Sequence, residues 1–211
     1  VAWAEALARQ AGVREMWLFW LFDYDHVAHG LLAERGFVEV PFDPAAPLFA
    51  RLLDELPEVR LPDGFLVQGV ANREDGYLRS AVTHAAFKMS QDWLSYRADY
   101  EQFMSSSVYD GRRDLFVRSP DGRGAAACTL WFDPVNAIGL FEPVATHPDF
   151  QGRGLGKAVM AAGLQRMKAA GMRRAILGFD PNNAAARALY MSLGFNAASH
   201  FAFYRREVSM A

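Results

Sequence analysis

The hydrophobic positions of this chain follow two rhythms, one suited to helices and one to strands. Over residues 1–11, Trp3, Leu7 and Ala11 share a helical face, and Gly12 ends the run. "REMWLFWLF" is almost unbroken in its apolarity, which predicts a strand buried on both faces. Asp23 to Asp25 predict a polar turn, "HVAHGLLAERGF" a helix closed by Gly36, and "FVEV" a short strand. The prolines of "PFDPAAP" mark a linker, and "LFARLLDELPEVRLPDG" extends it with a short helix. A second series starts near Phe65. "FLVQGV" alternates as a strand does, and residues 72–87 and 91–105 have helical spacing. "DLFVRS" and "AAACTLWF" flank the turn "PDGRG" and predict a β-hairpin. "AIGLFEPVAT" predicts a third long strand, 156–170 a helix stopped by Gly171, and "RAILGF" a strand. Residues 184–193 predict a helix stopped by Gly194, and "HFAFYRREV" a final strand. Helices and strands interleaved in this way predict an α/β fold with a mixed sheet.

Part of this pattern occurs twice. "AGVREMWLFW" at Ala11 matches "AGMRRAILGF" at Ala170, and "HGLLAERGF" at His29 matches "RALYMSLGF" at Arg187. The offsets are 159 and 158 residues, and both copies run helix, strand, helix, strand. The first 40 residues therefore read as the last third of a unit whose complete copy follows. The expected division is a remnant over 1–40, a linker over 41–63 and a complete domain over 64–211.

Three glycines, Gly152, Gly154 and Gly156, stand at alternate positions where the third strand gives way to a helix. Glycines at such a junction point several backbone N–H groups at one spot, and the helix N-terminus adds partial positive charge. Together they suit an anion, phosphate above all. Arg153 and Lys157 add charge at the rim. A nucleoside-triphosphate loop would need Gly where Gln151 stands and Ser or Thr where Ala158 stands. The dinucleotide fingerprint has a different glycine spacing and an acidic residue about 20 positions on, which is missing.

Charge agrees with an anion site. The formal net charge is −2, yet residues 151–179 carry six Lys and Arg and no acid. A general nucleic-acid binder is excluded by the overall balance. The apolar fraction of 52% supports a packed core. No run approaches the roughly 20 apolar residues of a membrane span. The one cysteine, Cys128, sits in an apolar strand, reads as a small buried hydrophobe, and fits a reducing cytoplasm. No His/Cys cluster has metal-ligand spacing, so no metal is expected.

The order Gln-x-x-Gly-x-Gly, helix, strand, then "DPNNAAARALYMSLGF" resembles the GNAT N-acetyltransferase superfamily. Asn183, Ala186, Leu189, Tyr190, Gly194 and Phe195 carry the second motif. Coverage runs from about Phe65 to Val208, with the sharp motifs between Leu140 and Phe195. The resemblance implies the GNAT fold, preceded here by a partial second GNAT repeat, as in a tandem protein lacking most of its first domain. It also implies transfer of an acetyl group from acetyl-CoA to a primary amine by direct attack in a ternary complex. The backbone of Val144, Ala145 and Thr146 would pair with the pantetheine arm in a gap between two splayed strands. Gln151, Gly152, Arg153, Gly154, Leu155, Gly156 and Lys157 would hold the diphosphate. Tyr190 would be the general acid and Glu142 the base; Asn183 would cap its helix and touch CoA. The acceptor, a small-molecule or peptide amine, would lie near residues 72–105 (Asp92, Trp93, Tyr96, Asp99) and His200, Phe201, Phe203 and Tyr204. An acyl-CoA sensor without catalysis is the alternative. At the position of Tyr190 the first copy has Leu32, which carries no proton, so residues 1–40 should have no chemistry of their own. They should pack against the complete domain or a partner chain, in a homodimer for instance.

Overall fold

The computed structural model of the chain describes residues 2–41 and 46–209, apart from the side chains of Ala2 and Trp20. The expected helix start at Val1, linker residues 42–45 and the last two residues lie outside the described set. In chain order the elements are α1 (Ala2–Gln10), β1 (Glu15–Phe22), α2 (His26–Glu34), β2 (Val38–Val40), β3 (Pro47–Leu52), β4 (Leu66–Gly69), α3 (Arg73–Ala86) and α4 (Trp93–Met104). Then follow β5 (Asp114–Arg118), β6 (Gly124–Asp133), β7 (Ile138–Thr146), α5 (Leu155–Ala169), β8 (Arg174–Gly178), α6 (Ala184–Ser192) and β9 (Asn196–Glu207). The mixed α/β fold expected from the pattern is present. Two compact units share the chain. Unit 1 comprises Val1–Phe49, Gly178–Ala188 and Asn196–Ala211; unit 2 comprises Ala50–Leu177 and Leu189–Phe195.

In unit 1, β9 pairs antiparallel with both β1 and β2 (Trp17↔Arg205, Val38↔Arg205). Asp25 caps α2 by accepting the Ala28 N–H at 3.0 Å. Leu32, Phe37, Ala202 and Tyr204 form its core, with Met16 and Leu21 against them. The strand expected at "REMWLFWLF" forms, but Trp17, Leu18 and Phe19 are exposed. An apolar run specifies a strand that can be covered on both faces; it does not supply the covering elements. The short helix expected after residue 47 is instead strand β3, whose Leu48 and Phe49 are both buried. Short apolar runs do not distinguish the two structures by period alone. Strand β9 starts four residues before the "HFAFYRREV" stretch, at Asn196.

Unit 2 is a sheet in the order β4-β5-β6-β7-β8, antiparallel except for β7 with β8. Alternation along β6 sets its two faces. Thr129 turns to α3, where Arg79 donates to it at 2.6 Å. Cys128 turns to α5 and sits 3.7 Å from the Val159 carbonyl. Helix α5 lies close because Gly163 has no side chain; a Cβ there would meet Phe141 at 2.6 Å. Under α3 and α4 a buried polar group satisfies itself. Asp114, fully buried, accepts from Arg79 Nε at 2.5 Å, Thr129 at 2.9 Å, Tyr109 at 3.1 Å and Tyr100. Burial pushes the Tyr100 and Tyr109 hydroxyls well above their ordinary range, so both remain donors.

Candidate active site

Strand β7 is the axis of the site. Its β8 pairing covers Ile138↔Arg174, Gly139↔Ala175 and Leu140↔Ile176, and stops there. Its β6 pairing runs on to Thr146. From Phe141 onward one backbone edge of β7 therefore lacks a β8 partner among the described residues. Such an edge is a template for an added extended chain. The register with β6 also breaks here. Val144 faces Cys128 and Phe141 faces Leu130, so Glu142 and Pro143 together oppose Thr129. Two residues against one is a β-bulge, which bends its strand and re-aims its side chains. The Trp131 indole N–H donates to the Glu142 carbonyl at 2.7 Å and ties the bulge to β6.

Strand β7 runs through the turn Pro148–Phe150 into the glycine segment. His147 is a turn residue there, its Nδ1 accepting the Asp149 N–H at 3.2 Å. The three glycines serve two physical purposes. Gly152 and Gly154 have φ of +74° and +77° with open space where a Cβ would be, so backbone conformation requires them. Gly156 has an ordinary φ, but a Cβ would sit 2.9 Å from Thr146 Oγ1; it lets α5 approach β7. Within α5 the first amide to bond is that of Ala158, to the Gly154 carbonyl at 3.0 Å. The amides of residues 152–157 have no acceptor among the described residues, and Gly154 caps the helix with no side-chain bond. Gln151 Nε2 reaches the Thr146 carbonyl at 3.5 Å. Arg153 donates to the Asp149 carbonyl at 3.3 Å and lies over the Phe150 ring, while Lys157 is exposed without an ion pair among the described residues. Leu155 is buried and anchors the first turn.

Glu142 is solvent-exposed, yet protein packed around its carboxyl raises its pKa above the ordinary value. Tyr190, on α6, is buried; burial first and the negative charge of Glu142 second push its hydroxyl to about 12. It therefore stays protonated at neutral pH. Cys128 is buried with its thiol pKa raised, which leaves no thiolate nucleophile. Asn183 lies in unit 1 and caps α6, its Oδ1 accepting the Ala186 N–H at 3.0 Å. The acidic residues expected near an acceptor are engaged locally. Asp92 caps α4 through Leu94 and Ser95, and Asp99 accepts from Gln91. His200, Phe201, Phe203 and Tyr204 belong to β9 in unit 1. No metal-ligating cluster occurs among the described residues. None of their helices is long and apolar enough to cross a membrane.

Two features at the site escape the motif reading. One is the Trp131 bond to the bulge. The other is a cavity of about 410 Å³ at the start of α5, lined by Arg153, Gly154 and Lys157 and, opposite them, by Glu58, Arg60 and Pro62. Its far wall comes from the segment that reads as linker. Proline spacing was the only local signal there, and it marks a stiff turn without indicating what the turn faces.

The chain is 28% identical to a mycothiol acetyltransferase of Saccharomonospora viridis over 81% of its own length and 58% of the relative's. It is 32% identical to a mycothiol acetyltransferase of Streptomyces coelicolor over 72% and 50%. The chain thus spans about half the length of these curated relatives. Among solved structures it is similar to a tandem GNAT protein from the clavulanic acid biosynthesis pathway, with a TM-score of 0.72, 17% identity, and coverage of 100% of this chain and 69% of that one. A GCN5-related N-acetyltransferase from Sphaerobacter thermophilus gives a TM-score of 0.66 at 17% identity, covering 98% and 66%. Residues 78–195, which hold the bulged strand, the glycine cradle and Tyr190, match the family described as Acetyltransferase (GNAT) family. The chain belongs to that family.

Proposed function

We propose that this chain transfers an acetyl group from acetyl-CoA to a primary amine by direct attack within a ternary complex. The observation that carries the reading is the continuity of two unpaired backbone surfaces. The free edge of β7 leads through one short turn into the free amides of residues 152–157. A co-substrate with an amide-bearing arm and a diphosphate would match both: the arm along Val144, Ala145 and Thr146, the diphosphate on the glycine cradle. The fit rests on amides that lack acceptors and on glycines whose φ values hold the loop open.

Each residue then has a task. Glu142, with its raised pKa, accepts the proton that the acceptor ammonium must lose before it attacks. Backbone N–H groups along the open edge of β7 stabilise the oxyanion. Tyr190, whose pKa burial pushes up to about 12, gives its proton to the departing thiolate sulfur, and the proton that the attacking nitrogen sheds as it becomes an amide returns to the phenolate through solvent. Similarity to mycothiol acetyltransferases favours a small-molecule amine of that chemical kind as acceptor. The second reading, an acyl-CoA sensor, keeps the cradle but has no use for a buried phenol that holds its proton. Thioester consumption against a panel of amines separates them. Turnover that falls sharply in Tyr190→Phe supports the enzyme. Tight acetyl-CoA binding with no turnover on any amine supports the sensor.

A further inference from the structure

We propose that Arg60 reads the 3′-phosphate of coenzyme A, and that the segment Pro57–Pro62 is the selectivity wall of the co-substrate site. The inference rests on the acetyl-CoA reading and goes beyond it. The cradle residues account for a diphosphate. They do not account for the cavity beside them, which at about 410 Å³ has room for a nucleoside-sized group. Three cations line it, Arg60, Arg153 and Lys157, against one carboxylate, Glu58. That carboxylate already has a partner: Arg60 Nε and Nη2 each lie 2.9 Å from its Oε2. The lining therefore offers excess positive charge next to the amides of α5.

The chemistry of the co-substrate supplies a matching anion. Coenzyme A carries a phosphate monoester on the same ribose that bears the diphosphate, so the two are close neighbours. At neutral pH a monoester carries a charge of about −1.5 to −2, more than one cation neutralises. A guanidinium meets such a group through two parallel N–H bonds, which a lysine cannot do. Arg60 is suited to the exchange. Its side chain is 84% exposed and that of Glu58 71%, so the pair is solvated and readily given up. Pro57 and Pro62 bracket the segment and limit its backbone freedom.

The test compares acetyl-CoA with 3′-dephospho-acetyl-CoA by calorimetry on the full chain. The wild type is expected to bind acetyl-CoA about tenfold more tightly, as befits one charge-assisted contact. Arg60→Ala should bring the ratio close to one, weakening the affinity for acetyl-CoA far more than that for the dephospho compound. Arg60→Lys, which keeps the charge and loses the fork, should give an intermediate ratio. The exposure of Arg60 makes these variants safe for folding. A wild type indifferent to the 3′-phosphate, or an Arg60→Ala protein that keeps the full preference, overturns the inference and leaves the acetyl-CoA reading standing. Failure of the wild type to bind either compound overturns both.

Discussion

The two copies of the repeat invite a direct comparison, because matching positions meet different fates. Leu177 on β8 is 1% exposed, while its counterpart Leu18 on β1 is 37% exposed. Ala162 on α5 is buried, while its counterpart Trp3 on α1 is 78% exposed. One helix later the copies agree: Tyr190 and Phe195 are buried, and so are Leu32 and Phe37. The difference follows the neighbours. Strand β8 pairs in parallel with β7, whereas β1 pairs antiparallel with β9. The α5 counterpart of α1 lies on a sheet that approaches through Gly163 and Gly156. A shared pattern therefore specifies which element forms, and the elements around it decide whether its apolar residues are covered. Chemistry divides the copies further: the buried site that holds a phenol in one holds an aliphatic side chain in the other.

The largest effects should come from breaking the chemical difference. Tyr190→Phe should lower kcat by about 10²-fold or more at unchanged acetyl-CoA affinity; an undiminished kcat would remove Tyr190 from the reaction. Leu32→Tyr should leave the rate where it was. Glu142→Gln should lower kcat/KM by a similar factor and abolish the acid limb of its pH profile. In the wild type that limb should have its midpoint above 4.5, since burial raises this carboxyl from that value. A raised folded-state pKa means a stability contribution that is lost as pH rises through it. The neutral amide escapes that loss, so at neutral pH the variant should unfold at the same temperature or higher; marked destabilisation would contradict the burial argument.

Packing should separate the copies next. Leu177→Ala should cost about 2–5 kcal/mol by denaturant unfolding, and Leu18→Ala about 0.5 kcal/mol or less. Equal losses would mean that β1 is covered after all. Gly156→Ala should cost about 1–3 kcal/mol through the forced Cβ contact, and should raise KM for acetyl-CoA because α5 must shift. Gly154→Ala, where only the positive φ is violated, should cost about 1 kcal/mol. A Gly156→Ala protein with native stability and KM would show that the α5–β7 approach is slack.

Much of the site was legible because its residues are chosen for local reasons. Gly152 and Gly154 are needed for their backbone angles, and a helix must begin just after them. Gly12 and Gly171, at matching positions of the repeat, both have positive φ and both end helices. The reason for Gly156 was only half legible: its spacing marked a cradle, but its contact with Thr146 depends on how closely two elements approach. Strand β3 was misread as a helix because six residues carry too little periodicity to decide. The bulge at Glu142 and Pro143 leaves no mark in either strand alone, since it is a property of their register. Arg60 was illegible as a site residue for the same kind of reason.

By itself the sequence determined most of the order of elements, the helix stops and the glycine segment that opens α5, all properties that a few neighbouring residues impose through backbone angles and side-chain chemistry. Tertiary structure alone decided where β7 parts from β8, that the strand bulges at Glu142 and Pro143, that Tyr190 is buried enough to keep its proton, and that a linker segment lines a cavity with Arg153 and Lys157. Those are distances between residues far apart in the chain, and no local pattern encodes a distance.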